Sequence, residues 1–348
     1  MTLLVIFFLL STSPISIFNS TANTNGIVVV ATLPKKVFYS SAVWDGDNIY
    51  LFGGQNPDGL STSIYSFDPE TLEIIELNVR LPKALKRHSA VWTGSEAFII
   101  GGESYEGESL PDIIRFEPPD TVELLENILP YGVKGGSLVW SGEYIYHFGN
   151  CICPGESVKK IIRFNPFTNQ TVVLEEELPG PRSGTSVVWI NGSAYIFGGR
   201  TGIGEVGQSD DIIKFTPGEG CTIMNAKLPS PRFRTSAVLS GSHAYVFGGY
   251  GPSGFLDEIV EYDTETDKIK LLSVRLPTAR ATRAAVFNGT YSYILGGESE
   301  TEYLNEILRF DSEVHEEIEP DEPFLVYQLI ALVVLMTVLV WLVGRRKK

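Results

Sequence analysis

Tyr50-Leu51-Phe52-Gly53-Gly54 sets the rhythm of this chain. Variants of it start again at Phe98, Tyr146, Tyr195, Tyr245 and Tyr293, and the steps between first glycines are 48, 48, 49, 50 and 48 residues. Each copy carries an aromatic three residues before the first glycine and a large apolar residue one before it. Such alternation ending in residues without side chains reads as a strand running into a tight exit. Self-similarity at this period means an array of one supersecondary unit, each burying its apolar face against the next.

A second mark keeps the same beat. Leu33-Pro34, Leu81-Pro82, Leu129-Pro130, Leu178-Pro179, Leu228-Pro229 and Leu276-Pro277 are spaced by 48, 48, 49, 50 and 48 residues. Proline cannot donate to a sheet ladder, so each pair is expected to end a strand. A run such as Ser40 to Trp44 follows, then a turn with a fixed glycine, as in Asp45-Gly46, Asn191-Gly192 and Asn288-Gly289. These are hairpin signals because such turns need positive φ. The glycine-ended strand comes next. A third strand (Ile64 to Asp68 and its equivalents) and a fourth (Glu73 to Val79 in the first unit) complete the unit. Four strands in about 48 residues make a propeller blade.

On these residues the chain resembles the kelch-repeat family. The marks are the double glycine, the aromatic in Phe67-Asp68-Pro69-Glu70-Thr71, and the Leu-Pro before the next blade, over residues 27 to about 312. It departs in two places. Ile74 and its equivalents stand where the family usually has a fourth-strand tryptophan, and the third unit has Gly149-Asn150 in place of two glycines. The expected fold is all-β, a six-bladed propeller of kelch repeats over residues 23–312. The last unit has only three strands, and Ile27 to Thr32 has no unit of its own. That segment is expected to complete the sixth blade beside Leu304 to Asp311, removing a sheet edge.

The ends suggest a compartment. Leu3 to Leu10 is a short apolar run, and Ser20 and Ala22 suit cleavage of a signal peptide spanning 1–22, although the run has no Lys or Arg before it. An uncleaved anchor is the weaker alternative, because Pro14 and the polar residues after Leu10 leave too short a span. Residues 313–323 are expected to form an acidic stalk carrying Glu313, Glu316, Glu317, Glu319, Asp321 and Glu322; no calcium-loop spacing is evident in it. Residues 324–343 are apolar enough for a transmembrane helix, flanked by Tyr327, Trp341 and a basic tail, 344–348. The expected topology is a single-pass protein of the cell membrane with the propeller outside and the C-terminus cytoplasmic. A sorting signal removed during anchoring is the alternative for the tail.

Among its 348 residues the chain carries a net charge of -15, which argues against a nucleic-acid partner, since phosphate binding needs a basic footprint. The four histidines do not form metal-ligand spacing, and neither a nucleophile elbow nor a phosphate loop is present. No metal or other cofactor is expected. Cys151 and Cys153 are close enough for a strained loop disulfide; Cys221, at the start of a fourth strand, is too far from either.

Loops after the second and fourth strands share one face. Those after the second strand are long and unlike each other, as binding loops on a rigid frame are. The same face carries a basic residue soon after each Leu-Pro: Lys36, Arg87, Lys134, Arg182, Arg232 and Arg280. They make either a positive mouth for an anionic ligand such as an acidic sugar, or ties between neighbouring loops, which their presence in every blade favours. Asn169, Asn191 and Asn288 head glycosylation sequons in turns of the opposite face. The resulting reading is a binding module for a protein or glycan ligand. The alternative is a sugar-active enzyme like the six-bladed sialic-acid epimerases, with an Arg/Glu site at the channel mouth for which Arg87 and Arg182 are candidates. Copper oxidases of the family need clustered tyrosine, histidine and cysteine ligands that this sequence does not assemble.

Overall fold

The computed structural model describes residues 26–152, 156–202 and 207–313. The expected signal peptide, all of the stalk after Glu313, the apolar span 324–343 and the basic tail lie outside them, as do the side chains of Cys151 and Cys153. Among the described residues no helix is long and apolar enough to cross a membrane.

Six four-stranded antiparallel sheets form the blades. The inner strands are Ser41–Trp44, Ser89–Trp92, Ser137–Trp140, Ser186–Ile190, Ser236–Ser240 and Ala285–Phe287, and each touches the inner strand on either side, so the ring is closed around a central axis. The sixth blade takes its outer strand from the other end of the chain. Ile27–Thr32 runs antiparallel to Tyr303–Phe310, pairing Ile27 with Phe310 and Thr32 with Glu306. Asp311 N donates to Gly26 O at 2.8 Å, so both chain ends leave the ring side by side.

Two repeated contacts explain the sequence rhythm. The apolar residue before each first glycine, or its aromatic neighbour, meets the third-strand aromatic of the next blade. Phe52–Phe116, Phe98–Phe164, Phe148–Phe215, Phe197–Tyr262, Phe247–Phe310 and Tyr293–Phe67 form one circuit of edge-to-face pairs with centroids 5.3 to 5.7 Å apart. Each buried aromatic of this kind contributes roughly 1.5–3 kcal/mol through burial, and edge-to-face geometry adds about 0.5–1.5 kcal/mol. The second glycine then donates across the blade boundary: Gly54 N to Leu85 O, Gly102 N to Val133 O, Gly199 N to Arg232 O, Gly249 N to Arg280 O and Gly297 N to Val37 O, at 2.8–2.9 Å. A Cβ on Gly248 would lie 2.3 Å from the Arg280 carbonyl oxygen, so a side chain is excluded there.

The third blade departs as its sequence does. Its second strand, Ile145–Ile152, runs on through Asn150, whose Oδ1 accepts from Lys134 N at 2.8 Å while its Nδ2 donates to Gly132 O at 3.3 Å. Its outer strand, Gln170–Arg182, runs past Leu178-Pro179 instead of stopping before it. Pro179 falls between the Glu177 and Arg182 pairings, where the register is broken, so its missing N–H leaves no gap in a regular ladder. The outer strand of the first blade is shorter than its sequence suggests, Ile74–Glu76.

Candidate functional site at the mouth of the channel

Counting six residues on from each Leu of the Leu-Pro pairs reaches Tyr39, Arg87, Gly135, Gly184, Arg234 and Thr282. The first five have positive φ: 58°, 58°, 70°, 67° and 57°. That conformation turns each backbone inward, and consecutive blades bond to one another. Arg87 N donates to Tyr39 O at 3.0 Å, Gly135 N to Arg87 O at 2.8 Å, Gly184 N to Gly135 O at 2.6 Å and Arg234 N to Gly184 O at 2.7 Å. Three non-glycine residues in the left-handed region store strain of ~1–3 kcal/mol each, a pattern that gathers at binding sites.

A hollow of about 40 Å³ lies inside this ring. Arg87, Arg200, Arg234 and Arg283 line it with Tyr39 and Phe233, and no carboxylate does. The aromatic faces orient the cations. The Arg87 guanidinium lies 4.6 Å from the Tyr39 ring centre, and that of Arg234 lies 4.9 Å from Phe233 and 5.3 Å from Tyr39. Glu103 and Glu298 stand behind. Arg87 Nη1 lies 3.2 Å from Glu103 Oε2, and Arg234 Nη1 lies 3.4 Å from Glu298 Oε2. Burial alone would raise the Glu103 carboxyl, but Lys134, Arg87 and Lys86 hold it below its ordinary value. The outcome is a small basic hollow, its four arginines set among two aromatic rings and two glycines, at the centre of the loop-bearing face.

Arg283 closes the floor. From the sixth blade its guanidinium reaches across the axis, donating to Gly135 O at 3.3 Å, to Ser89 Oγ at 3.1 Å and to Gly136 O. Burial pushes it down to about 10; Tyr39 opposes this, while Arg87 and Arg234 add to it. It remains charged at neutral pH.

The basic residues singled out in the sequence divide into two groups. Arg182, Arg232 and Arg280 lie at the fourth residue after their leucines and are buried between blades. Each donates through Nη1 to a first-glycine carbonyl at 3.3 Å (Gly198, Gly248 and Gly296) and through Nη2 to a carboxylate of the third strand (Asp211, Glu258 and Glu306). Three hydrogen-bonded Nη2–carboxylate pairs of this kind hold the segment after each Leu-Pro against the second and third strands of the blade that follows it. Val37, Leu85 and Val133 fill the same position in the first three blades. Lys134 is buried against Glu103, 3.0 Å away. Lys36 pairs with Glu302 at the exposed rim. Arg87 alone of the six lines the hollow.

Sequence reasoning missed Arg200, Arg234, Arg283, Tyr39 and Phe233. Strict repeat alignment was the available signal, since Arg234 shares the position of Arg87. Asn169 and Asn191 are exposed and Asn288 half-buried, all in turns of the face opposite the hollow.

His88 and His147 are both pushed down to about 3 by burial, with the Arg283 charge adding to the effect on each. His88 Nε2 donates to Phe52 O at 3.0 Å, which fixes the neutral tautomer. A neutral buried histidine binds fewer protons than an unfolded one between pH ~3 and ~6.5, so stability is full above that window and falls as pH drops through it. Paired carboxylates such as Asp211, held down to about 2 by Lys227, Arg182 and Ser209 against the effect of burial, lose stability in the same direction. Thermal melts at pH 7 and pH 4.5 are expected to differ by on the order of 2–3 kcal/mol per histidine. His88→Gln is expected to flatten that profile; an unchanged profile would refute the assignment.

No metal-ligating cluster of histidine, cysteine and carboxylates occurs among the described residues. No curated protein matches the chain. The model of the KLHDC2/KLHL20/DRC7 kelch-repeats domain matches residues 135–322, more than half of the chain. With six closed blades, the inter-blade glycine bonds and this match, the protein belongs to the kelch-repeat family.

Proposed function

We propose that the protein is a membrane-anchored binding module whose basic mouth takes one anionic group protruding from a protein or glycan ligand. The observation that carries this reading is the convergence of four guanidinium groups on a hollow lined by no carboxylate. Small-molecule sites usually enclose ~300–1,000 Å³, so about 40 Å³ suits a single group from a larger partner docked on the surrounding loops. The same geometry weighs against the sugar-active alternative. That chemistry needs a carboxylate facing the ligand, and Glu103 is turned to Lys134, Arg87 and Lys86.

Topology supports the membrane part of the reading. Gly26 and Asp311 are bonded on the face opposite the hollow. A stalk and transmembrane helix after Glu313, with the propeller outside the cell, would then aim the mouth away from the bilayer. The sequons at Asn169, Asn191 and Asn288 would carry glycans on the membrane side. Surface labelling of intact cells, with an endoglycosidase-dependent mobility shift, tests this placement; a protein shielded from the label would overturn it.

Ligand binding is tested by presenting the full chain in nanodiscs to arrays of acidic and neutral glycans and acidic peptides. Hits are expected among the anionic members. Arg87→Ala and Arg234→Ala should each weaken them about tenfold, as loss of a charge-assisted bond does. Hits that ignore both substitutions would place the ligand elsewhere and refute the mouth.

A further inference from the structure

Below Arg283 lies a second cavity, on the axis and inside the ring of inner strands, with about 100 Å³ of room. Ser41, Ser89, Ser137, Ser186 and Ser236 line it, one from each of five blades. Three of these hydroxyls have partners. Ser89 Oγ donates to Gly136 O at 2.7 Å, Ser137 Oγ meets Thr185 Oγ1 at 2.7 Å and Ser186 Oγ meets Thr235 Oγ1 at 2.9 Å. The buried hydroxyls of Ser41 and Ser236 have none, and neither has Arg283 Nε.

These three orphans fall on one side of the channel. Ser236 belongs to the fifth blade, Arg283 enters from the sixth and Ser41 belongs to the first, and those inner strands are neighbours. The Nη atoms of Arg283 are engaged on the far side, at the second and third blades. Among the described residues no carboxylate pairs with Arg283, and Arg87 and Arg234 add positive charge above it. Arg283 is half-buried, and a partly desolvated charge without a counter-ion is unfavourable; each buried polar atom left unpaired costs about 1–3 kcal/mol. Three donors and an uncompensated cation around one small space make a site for an anion.

We propose that this cavity binds a small monovalent anion of chloride size, held by Arg283 Nε–H and the hydroxyls of Ser41 and Ser236. The bound anion offsets the guanidinium charge and lets Arg283 span the channel as a brace from the sixth blade to the second and third. His88 also lines the cavity, and its buried Nδ1, a lone-pair acceptor, has no partner. This cavity lies below the mouth and shares Arg283 with it.

The test is thermal unfolding of the full chain at pH 7, followed by tryptophan fluorescence. Chloride replaces isethionate, which is too bulky for the cavity, at constant ionic strength. Tm is expected to rise saturably with chloride, by about 3 °C at ten times the dissociation constant, with bromide acting alike. Arg283→Gln should abolish the rise. Should that variant fail to fold, Ser236→Ala decides. In isethionate it should melt no lower than the parent, having lost an unpaired hydroxyl, yet need at least threefold more chloride for the half-maximal rise. Equal melting in both salts, or equal chloride response in parent and Ser236→Ala, would show a channel holding water alone and overturn the proposal.

Discussion

A chain lacking Ile27–Thr32 is expected to lose its cooperative melt and to elute as aggregate in size-exclusion chromatography. The strand is short, but it holds the ring shut. Ile27 is fully buried with Tyr245, Phe247 and Phe310, and truncating one such residue alone costs about 2–5 kcal/mol. The ladder to Tyr303–Phe310 would go with it, leaving an unpaired edge strand whose N–H and C=O groups are open to other chains. Leu33 N, which donates to Asn305 O at 2.7 Å, would lose its anchor too. Against a total stability of ~5–15 kcal/mol, these losses reach the scale of the whole fold. A shortened chain that stays monomeric and melts in one step would show that the first five blades and three strands suffice.

Arg280→Met is expected to cost about 2–4 kcal/mol, because it removes three hydrogen bonds from a buried guanidinium and leaves the half-buried Glu306 without its cation. Arg280 is 0% exposed and makes three bonds: Nη2 to Glu306 Oε2 at 2.6 Å, Nη1 to Gly296 O at 3.3 Å and Nε to Thr278 O at 3.1 Å. Glu306 pairs in register with Thr32, so the loss falls on the blade that closes the ring. Adding Glu306→Gln should restore part of the stability, since the uncompensated carboxylate is then gone. Urea unfolding of the two single variants and the double measures the coupling. A cost below about 1 kcal/mol for Arg280→Met would mean that the buried pair is not what ties this blade together.

Most of the architecture was legible because it repeats. Five glycine pairs, the Gly149-Asn150 variant and six Leu-Pro pairs on a single beat fix six blades, and the odd strand count places Ile27–Thr32 in the last of them. The departures were legible as departures but not as structure. Gly149-Asn150 marks the third blade as different, yet only the fold reveals that the Asn150 side chain bonds Lys134 N and Gly132 O. Pro179 looks like a strand end, and a register break lets the strand pass it.

The site was less legible, and the arginines illustrate why. Arg182, Arg232 and Arg280 stand four residues after their leucines, whereas Arg87 and Arg234 stand six after theirs. In one dimension all five are basic residues behind a Leu-Pro. In three dimensions, two residues of difference separate a guanidinium sealed between strands from one turned to the axis. The turn depends on positive φ at Tyr39, Arg87 and Arg234, a conformation these residue types rarely adopt and composition does not announce. Gly135 and Gly184, at the same position in two blades, were the hint.

By itself, then, the sequence determined the repeat unit, the blade count and the closing strand, since these follow from local periodicity and from unit-to-unit burial that every blade repeats. The tertiary structure decided which cations meet at the axis and which are neutralised between blades. That choice rests on backbone strain and on partners tens to hundreds of residues away, as in the 148-residue separation of Arg283 from Gly135, and no local pattern encodes it.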